Sequence, residues 1–368
     1  MTSVRRIVLL GGYGNTGRRI AQLLARRADV QLVVAGRSRD KATAAAQSLA
    51  NVAAHAVDAA VIDATQSSAR RALFDGASLV IAASSTSTHA AEIARDAIAA
   101  GADAYDTNLS LPRKHEALRA LGPEVERRGL TIITDGGFHP GLPGAMARYA
   151  ASLVPDLASV RIGGAFNIDW NAYTFSDATI GEFVEELATI GPEAYEDGRW
   201  IRSWSATRLI DFGEGIGERQ CVPWGMEEVR QLPAIMPTLK TAGFFIAGFG
   251  RLVDYAAMPA ALLALRIAPA QKDRIGRAFL WTLRHWTRRG EWAVLLLNGI
   301  GASGRHVRIR VSHGNGYDLT AFPVVAGVEQ LLDGPRRPGV FTQGHFVEPT
   351  LFLRRLEALG VAVQISTR

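Results

Sequence analysis

The sequence predicts an α/β protein that begins with a doubly wound parallel sheet and continues into an inserted α+β domain with a mixed sheet. From Arg6 to about Thr134, short aliphatic runs alternate with longer segments of helical periodicity, as in parallel sheets with crossover helices. After Gly136 the alternation becomes irregular, and all seven tryptophans lie beyond this point. A chain of 368 residues also exceeds the usual size of a single core, so two domains are expected.

Six strands are predicted in the first domain. Each is a short run rich in aliphatic or β-branched residues and is bounded by glycine or polar residues. The predicted strands are 7–10, 32–35, 57–62, 79–83, 102–105 and 130–134. Six strands suffice for one doubly wound domain, which we expect to span residues 1–140.

The second domain is expected to span residues 141–325 and to supply the surface of a homodimer. Its predicted strands include 159–166 and a hairpin of two antiparallel strands, 305–312 and 317–322, around a His-Gly-Asn-Gly turn. Residues 326–368 predict a helix, a Gly/Pro-rich turn, a second helix and a short strand. We expect this last segment to return to the first domain.

A glycine-rich segment joins the first strand to a helix of apolar periodicity. Gly12, Gly14 and Gly17 have the G-x-G-x-x-G spacing. In this context Gly12 permits a tight turn, Gly14 lets the backbone approach a pyrophosphate, and Gly17 lets the helix pack on the sheet. The free amides of the helix start, at Asn15 and Thr16, attract phosphate charge. The segment predicts a Rossmann-type dinucleotide site, and a tight turn without a ligand is the alternative.

The end of the second strand predicts which dinucleotide binds. Enzymes that use NAD usually carry Asp or Glu there for the ribose hydroxyls, whereas this chain has Arg37, Ser38 and Arg39. Arg37 can pair with a 2′-phosphate while it stacks on adenine, and Ser38 can add a hydrogen bond. NADP is therefore predicted over NAD. The alternative is that both arginines only form a solvated helix start.

Asp63 and Ser84 follow the third and fourth strands, at the same edge of the sheet. Asp63 is expected to border the adenine or to cap the following helix. Ser84 is expected near the nicotinamide half of the cofactor, because ligands of doubly wound sheets bind at the carboxyl ends of the strands.

Composition and charge exclude several classes of protein. The net charge of +6 comes from scattered arginines without a basic stripe, so no nucleic-acid partner is predicted. One cysteine and histidines without ligand spacing predict no disulfide and no metal. The start lacks the pattern of a signal peptide, so a cytoplasmic protein is predicted. The apolar region 241–268 is interrupted by charges and predicts buried helices or a dimer surface, with peripheral membrane contact as an alternative.

These features and two further motifs resemble the saccharopine dehydrogenase-like family. The motifs are Gly101-Ala-Asp-Ala-Tyr-Asp-Thr107 and Gly136-Gly-Phe-His-Pro-Gly-Leu142, and residues 331–340 and 349–361 are similar to the closing turn and helix of the family. The resemblance covers nearly the whole chain. It implies an N-terminal Rossmann domain, an inserted domain that closes over the nicotinamide, and hydride transfer between NADP and a secondary amine formed from amino acids.

Hydride transfer usually needs a nearby proton donor, so titratable groups after the strands are candidate catalytic residues. His139 and Asp135 follow the last strand of the first domain, and Asp106 follows the fifth. His139 is predicted to be the acid, and Asp106 is a second catalytic candidate. Alternatively, His139 satisfies backbone groups of its tight turn, and Asp106 and Tyr105 line the cofactor or end a buried strand. The family usually has Asp where this chain has His139, so a substrate contact by that carboxylate is not carried over.

The predicted function is an NADP-dependent oxidoreductase that acts on an imine, a secondary amine or a carbonyl compound. A trans-acting enoyl reductase is the enzymatic alternative, with an apolar acyl pocket lined by aromatic residues of the second domain. Those residues are Trp170, Tyr173, Phe175, Trp200 and Trp204, which are otherwise expected to be core. A non-catalytic NADP sensor or scaffold is the third alternative.

Overall fold

The chain divides into two compact units, which are described separately. The computed structural model describes residues 4–175, 179–181, 183, 191–213, 215–287 and 289–368. Unit 1 comprises Met1–Leu142 and Thr320–Glu348, and unit 2 comprises Pro143–Leu319 and Pro349–Arg368. The predicted α/β fold class is confirmed, since one sheet is parallel and the other is mixed.

The strands and helices follow each other along the chain with short connections. The strands are β1 (Arg5–Leu10), β2 (Val30–Gly36), β3 (Asp58–Val61), β4 (Leu79–Ala82), β5 (Asp103–Asp106), β6 (Thr131–Thr134), β7 (Leu157–Asn167), β8 (Ala194–Glu196), β9 (Arg199–Ile201), β10 (Arg208–Asp211), β11 (Glu218–Pro223), β12 (Thr241–Ala247), β13 (Trp292–Gly301), β14 (His306–His313), β15 (Gly339–Thr342) and β16 (Ala362–Thr367). The α-helices are α1 (Asn15–Leu24), α2 (Arg39–Ser48), α3 (Ser67–Phe74), α4 (Ala90–Ala99), α5 (Pro112–Arg119), α6 (Gly122–Arg127), α7 (Leu142–Leu153), α8 (Glu227–Arg230), α9 (Leu232–Ile235), α10 (Met258–Ile267), α11 (Lys272–Trp286), α12 (Gly316–Asp333), α13 (Gln343–Phe346) and α14 (Pro349–Ala358). A π-helical turn, Val253–Ala257, precedes α10. Within the described ranges, no helix has both the length and the apolar character needed to cross a membrane.

The sheet of unit 1 has the strand order β15-β6-β5-β4-β1-β2-β3, and neighbouring strands are parallel. Each of the six predicted strands forms part of it, and β15 from the C-terminal segment adds an edge next to β6. The order of strands reverses between β1 and β4, which is the switch point where ligands of doubly wound sheets bind. The fold therefore brings the residues that follow β1, β2, β4, β5 and β6 to one edge.

The sheet of unit 2 has the order β10-β11-β12-β7-β13-β14-β16, with β8 paired to β12 and to β9. The predicted hairpin is wrong at its second strand, because residues 317–322 belong to α12. Asn315 Oδ1 accepts from the Asp318 amide at 3.0 Å and starts this helix. β14 instead pairs with β13 and β16.

The C-terminal segment differs from its predicted course. Residues 326–368 are predicted to return together to the first domain, yet the segment divides between the units. β15 joins β6 in unit 1, whereas β16 pairs antiparallel with β14 in unit 2. β14 would otherwise present an open edge, and the final strand covers it.

Candidate functional site

The turn between β1 and α1 is closed so tightly that it requires glycine. A Cβ on Gly17 would lie 2.2 Å from the carbonyl oxygen of Gly11, and one on Gly12 would lie 3.0 Å from Val34 Cγ1. Gly11 itself has φ +74°, and a Cβ there would lie 2.8 Å from the Ala83 carbonyl oxygen. Gly11 is a requirement of the turn that the G-x-G-x-x-G spacing alone does not identify.

The start of α1 is suited to an anion. Gly14 is its N-cap, with extended backbone (φ −69°, ψ 171°) and no side-chain cap, and the first turn carries no acidic residue. The first amides of a helix, here those of Asn15, Thr16 and Gly17, have no intrahelical acceptor, and the helix dipole is positive at this end. The bare backbone and the absence of side chains on the glycines leave room for a diphosphate against these amides.

Arg37 is exposed at the end of β2, next to the glycine turn. Tyr13 holds this strand end: a Cβ on Gly36 would lie 2.4 Å from the Tyr13 ring, and the Tyr13 hydroxyl accepts from the Ser38 amide at 3.0 Å. The Ser38 hydroxyl is the N-cap of α2 and accepts from the Lys41 amide at 3.4 Å. The structure thus places Arg37 free to meet a 2′-phosphate, while the predicted Ser38 contact would compete with capping.

Asp63 and Ser84 lie at the same sheet edge. Asp63 accepts from the amide and the hydroxyl of Thr65 at 3.0 and 2.9 Å. The hydrogen bond from the Thr65 amide lowers the pKa of Asp63 most. The hydrogen bond from the Thr65 hydroxyl and the charge of Arg37 lower this pKa further. Ser84 follows β4 against the turn, since a Cβ on Gly11 would lie 2.9 Å from its backbone nitrogen. The turn, Arg37, Asp63 and Ser84 therefore all lie at the carboxyl edge of the sheet, and their contact with a cofactor stays a prediction.

A buried ionic network, here called the Lys114 network, follows β5 and β6. The Lys114 ammonium is fully buried and donates to Asp106 Oδ1 at 3.1 Å and to Asp135 Oδ1 at 2.7 Å. The second oxygen of Asp135 accepts from Ser110 Oγ at 2.6 Å and lies 3.0 Å from His115 Nε2. Asp106, Ser110, Lys114, His115 and Asp135 make up this network, and each is nearly inaccessible to solvent.

The network shifts the pKa of two of its members, Asp135 and Lys114. Burial alone would raise the pKa of Asp135, but the charges of His115 and Lys114 and their hydrogen bonds outweigh it and hold that pKa well below its usual range. Burial would likewise lower the pKa of Lys114, yet Asp106 and Asp135 raise it. Asp135 also has φ +59°, a left-handed conformation that a non-glycine residue keeps only where its surroundings hold it. Asp106, predicted as a catalytic candidate, is thus an ion-pair partner of Lys114.

His139 lies in the turn that follows β6 and precedes α7. It is half-buried, and its ring centroid lies 4.5 Å from that of Phe138. Burial lowers the pKa of His139 to about 4. The imidazole is consequently neutral near pH 7 and is poorly suited to the predicted role of proton donor.

Gln343 of α13 fixes the start of the same turn. Tyr105 donates its hydroxyl to Gln343 Oε1 at 2.6 Å, and the Gly137 amide donates to the same oxygen at 3.2 Å. Gln343 Nε2 donates in return to the Gly137 carbonyl at 3.3 Å. Tyr105 is therefore a buried structural residue, in agreement with one of its two sequence interpretations.

A parallel sheet with a glycine turn at its switch point and unpaired helix amides defines a dinucleotide-binding protein of the Rossmann class. Residues 7–133 match the family model of the saccharopine dehydrogenase NADP binding domain. The match covers about a third of the chain, and it confirms the resemblance predicted from the motifs. The protein is an NAD(P)-dependent oxidoreductase, and NADP is its cofactor.

One of the similar solved structures has a TM-score high enough to show the same fold. The saccharopine dehydrogenase (L-Glu forming) of Saccharomyces cerevisiae is 18% identical with a TM-score of 0.71, over 99% of this chain and 100% of that chain. A dehydrogenase from Chromobacterium violaceum is 9% identical with a TM-score of 0.47, over 97% of this chain and 94% of the other. At these identities the first comparison shows a shared fold and nothing finer. No curated protein sequence matches the chain.

Proposed function

We propose that the protein transfers a hydride between NADP(H) and the carbon of a C=N bond, so that an imine and a secondary amine are interconverted. The observation that carries this proposal is the state of the ionisable groups after β5 and β6. The Lys114 ammonium is buried and donates hydrogen bonds to the Asp106 and Asp135 carboxylates, and His139 is neutral near pH 7.

The residues of unit 1 fit the cofactor. The amides of Asn15, Thr16 and Gly17 would bind the diphosphate, and Arg37 would pair with the 2′-phosphate in a bidentate manner. When bound, NADPH supplies the hydride, and NADP⁺ accepts it in the reverse direction. Ser84 follows β4 on the nicotinamide side of the switch point.

The supply of protons at the site favours reduction of a C=N bond over reduction of a C=O bond. Reduction of a carbonyl needs a hydride and a proton, and the proton comes from a group that holds it near neutral pH. A protonated imine already carries its proton on nitrogen, so the hydride alone completes the amine. The ionisable groups described after β5 and β6 are paired or neutral, which suits a substrate that brings its own proton.

The enoyl-reductase alternative receives less support, because the predicted aromatic cluster does not form one lining. Trp170 and Phe175 pack in the core, with ring centroids 5.5 Å apart. Trp200 instead contacts Tyr195 across the β8–β9 pair, with ring centroids 5.2 Å apart. Trp204 is exposed. Trp170 and Phe175 fit the plain-core interpretation, whereas the exposed Trp204 fits neither the core nor an acyl pocket.

The test is oxidation of NADPH by the purified full chain in the presence of three kinds of substrate. We expect turnover when an α-keto acid and an amino acid are supplied together, and none with the keto acid alone or with an enoyl thioester. The His139→Gln variant should keep the pH profile of kcat between pH 6 and 8, because a group with a pKa of about 4 does not titrate there.

Two results would contradict the proposal. Reduction of the keto acid alone, or of the thioester, would show that a proton donor operates at the site. Tight NADP binding without any turnover would instead support the sensor alternative.

A further inference from the structure

Two neighbouring helices of unit 2, α10 and α11, carry large apolar residues on their solvent-exposed side. Together with the π-helical turn before α10, they cover residues 251–287. Their inner side packs Val253, Phe279 and Leu283 with Trp170 into a buried cluster.

The outer side carries an apolar stripe. None of the residues of α10 is buried. Leu252, Tyr255, Leu263 and Ile267 are exposed by 60, 69, 58 and 75%, and Trp281 of α11 is exposed by 53%. The first four of these residues are spaced by three, eight and four positions. Spacings of three, four or a multiple of four place side chains on the same side of a helix. Large apolar residues concentrated in this way mark an interaction surface.

Basic residues accompany the stripe. Residues 251–287 contain six basic side chains and two acidic ones. The basic residues are Arg251, Arg266, Lys272, Arg274, Arg277 and Arg284, and all are exposed. Of the acidic residues, Asp254 turns back to accept from the amides of Phe249 and Gly250 at 2.8 and 3.1 Å. The surface is therefore both apolar and positively charged.

A polar cavity opens at the C-terminal end of α11. It has a volume of about 420 Å³, and Arg284, His285 and Arg289 contribute to its lining. Trp170 also lines it, and its buried indole N–H has no hydrogen-bond partner in the described part of the chain. His285 stacks on Trp281 with ring centroids 4.3 Å apart, so the cavity adjoins the apolar stripe. Arg284 and Arg289 outnumber Asp169, the carboxylate of its lining, so the donors suit a phosphate group.

We propose that this surface docks on an anionic lipid bilayer. The apolar stripe enters the boundary between headgroups and acyl chains, the arginines pair with lipid phosphates, and Tyr255 and Trp281 lie at the level of the headgroups. Charge complementarity selects this occupant over a second copy of the chain, because a symmetric contact would bring two basic surfaces together. The proposal does not depend on which bond the enzyme reduces.

The test is co-sedimentation of the full chain with vesicles at physiological salt. Vesicles of phosphatidylglycerol and phosphatidylcholine should bind the protein, and vesicles of phosphatidylcholine alone should bind it far less. The double variant Arg274→Gln/Arg277→Gln should lower the partition coefficient about 25-fold, at about fivefold for each basic residue near an anionic surface. The double variant Ile267→Asp/Trp281→Ser should abolish binding.

The matched control is Leu209→Asp/Trp204→Ser, because these two residues of unit 2 are similarly exposed, by 66 and 57%, but lie outside the surface. This variant should bind vesicles as the wild type does, and circular dichroism should show that all variants are folded. The proposal is overturned if the wild type does not bind anionic vesicles, or if the control loses binding as fully as Ile267→Asp/Trp281→Ser. It is also overturned if the wild type is a dimer that Ile267→Asp/Trp281→Ser dissociates, because a second copy then covers the stripe.

Discussion

The two halves of the carboxyl edge in unit 1 use polar groups in opposite ways. After β1 and β2, the amides at the start of α1 and the guanidinium of Arg37 are left open, and only glycines and Tyr13 shape the backbone. After β5 and β6, Lys114, Asp106 and Asp135 are buried and satisfy each other. The first half is prepared to bind an external charge, whereas the charged groups of the second half are buried and hydrogen-bonded to each other, and they hold the backbone of the edge in place.

Removal of Lys114 should have the largest effect that this comparison predicts. In Lys114→Met the carboxylates of Asp106 and Asp135 lose the ammonium that they share, at 3.1 and 2.7 Å. Breaking a buried ion pair by removing one partner costs about 3–5 kcal/mol of folding free energy. Thermal and urea unfolding of the full chain should show this loss.

Two further variants distinguish the loss of a buried charge from the general effect of replacing lysine by methionine. Lys41→Met removes an exposed lysine of α2 and should leave the free energy of unfolding nearly unchanged. The double variant Lys114→Met/Asp135→Asn should recover part of the loss, since one of the two carboxylates that lost the ammonium is then uncharged. If Lys114→Met behaves like Lys41→Met, the second half of the edge does not depend on its buried charges.

The same contrast explains what the sequence predicts and what it does not. The glycine turn is a local pattern between a strand and a helix, so Gly12, Gly14 and Gly17 identify it without tertiary contacts. The Lys114 network joins residues 106–115 to Asp135, which lies 21 residues beyond Lys114, and a lysine on a helix is expected to be exposed. Its only sequence signal is that Asp106 and Asp135 follow neighbouring strands. Gln343 is more distant still, because it reaches Tyr105 from 238 residues along the chain.

A similar reason accounts for the incorrect second strand in unit 2. Residues 317–322 alternate apolar and polar side chains, as a strand does, and the preceding His-Gly-Asn-Gly suggests a hairpin. The hydrogen bond from the Asp318 amide to Asn315 decides for a helix. β14 has two partners, β13 before it in the chain and β16 near the C-terminus. A local sequence pattern cannot reveal the pairing with β16.

The choice between NADP and NAD should depend on Arg37 in the open half. The variant Arg37→Asp replaces the cation by a carboxylate that repels a 2′-phosphate and accepts from ribose hydroxyls. Hydrogen bonds to charged groups contribute about 1.5–3 kcal/mol, which corresponds to a 10- to 150-fold weaker affinity for NADP. Affinity for NAD should stay the same or increase. Isothermal titration with both dinucleotides measures the ratio.

Arg39→Asp is the matched control, because Arg39 is exposed two residues further on, in the first turn of α2. It should change the ratio of the two affinities far less than Arg37→Asp, and an acidic residue near a helix start is even favourable for α2. An equal effect of both variants would mean that the general positive charge of this strand end, rather than Arg37, selects NADP.

The smallest effect is expected for a single methyl group in the glycine turn. In Gly17→Ala the new Cβ would lie 2.2 Å from the Gly11 carbonyl oxygen, so the turn and the first amides of α1 have to move apart. Overpacking of this kind costs about 1–3 kcal/mol, against a gain of about 1 kcal/mol from replacing a helical glycine. The net loss should appear as a modestly lower Tm and as weaker NADP binding, because the displaced amides are those that meet the diphosphate.

Gly122→Ala provides the comparison within the same unit, since Gly122 begins α6 and a Cβ there would meet no atom within 4 Å. This variant should leave NADP affinity unchanged and should raise the Tm slightly or not at all. If Gly17→Ala binds NADP as well as Gly122→Ala does, the close contact of α1 with Gly11 is only a packing feature. The open half of the edge would then owe its binding to Arg37 rather than to the backbone amides.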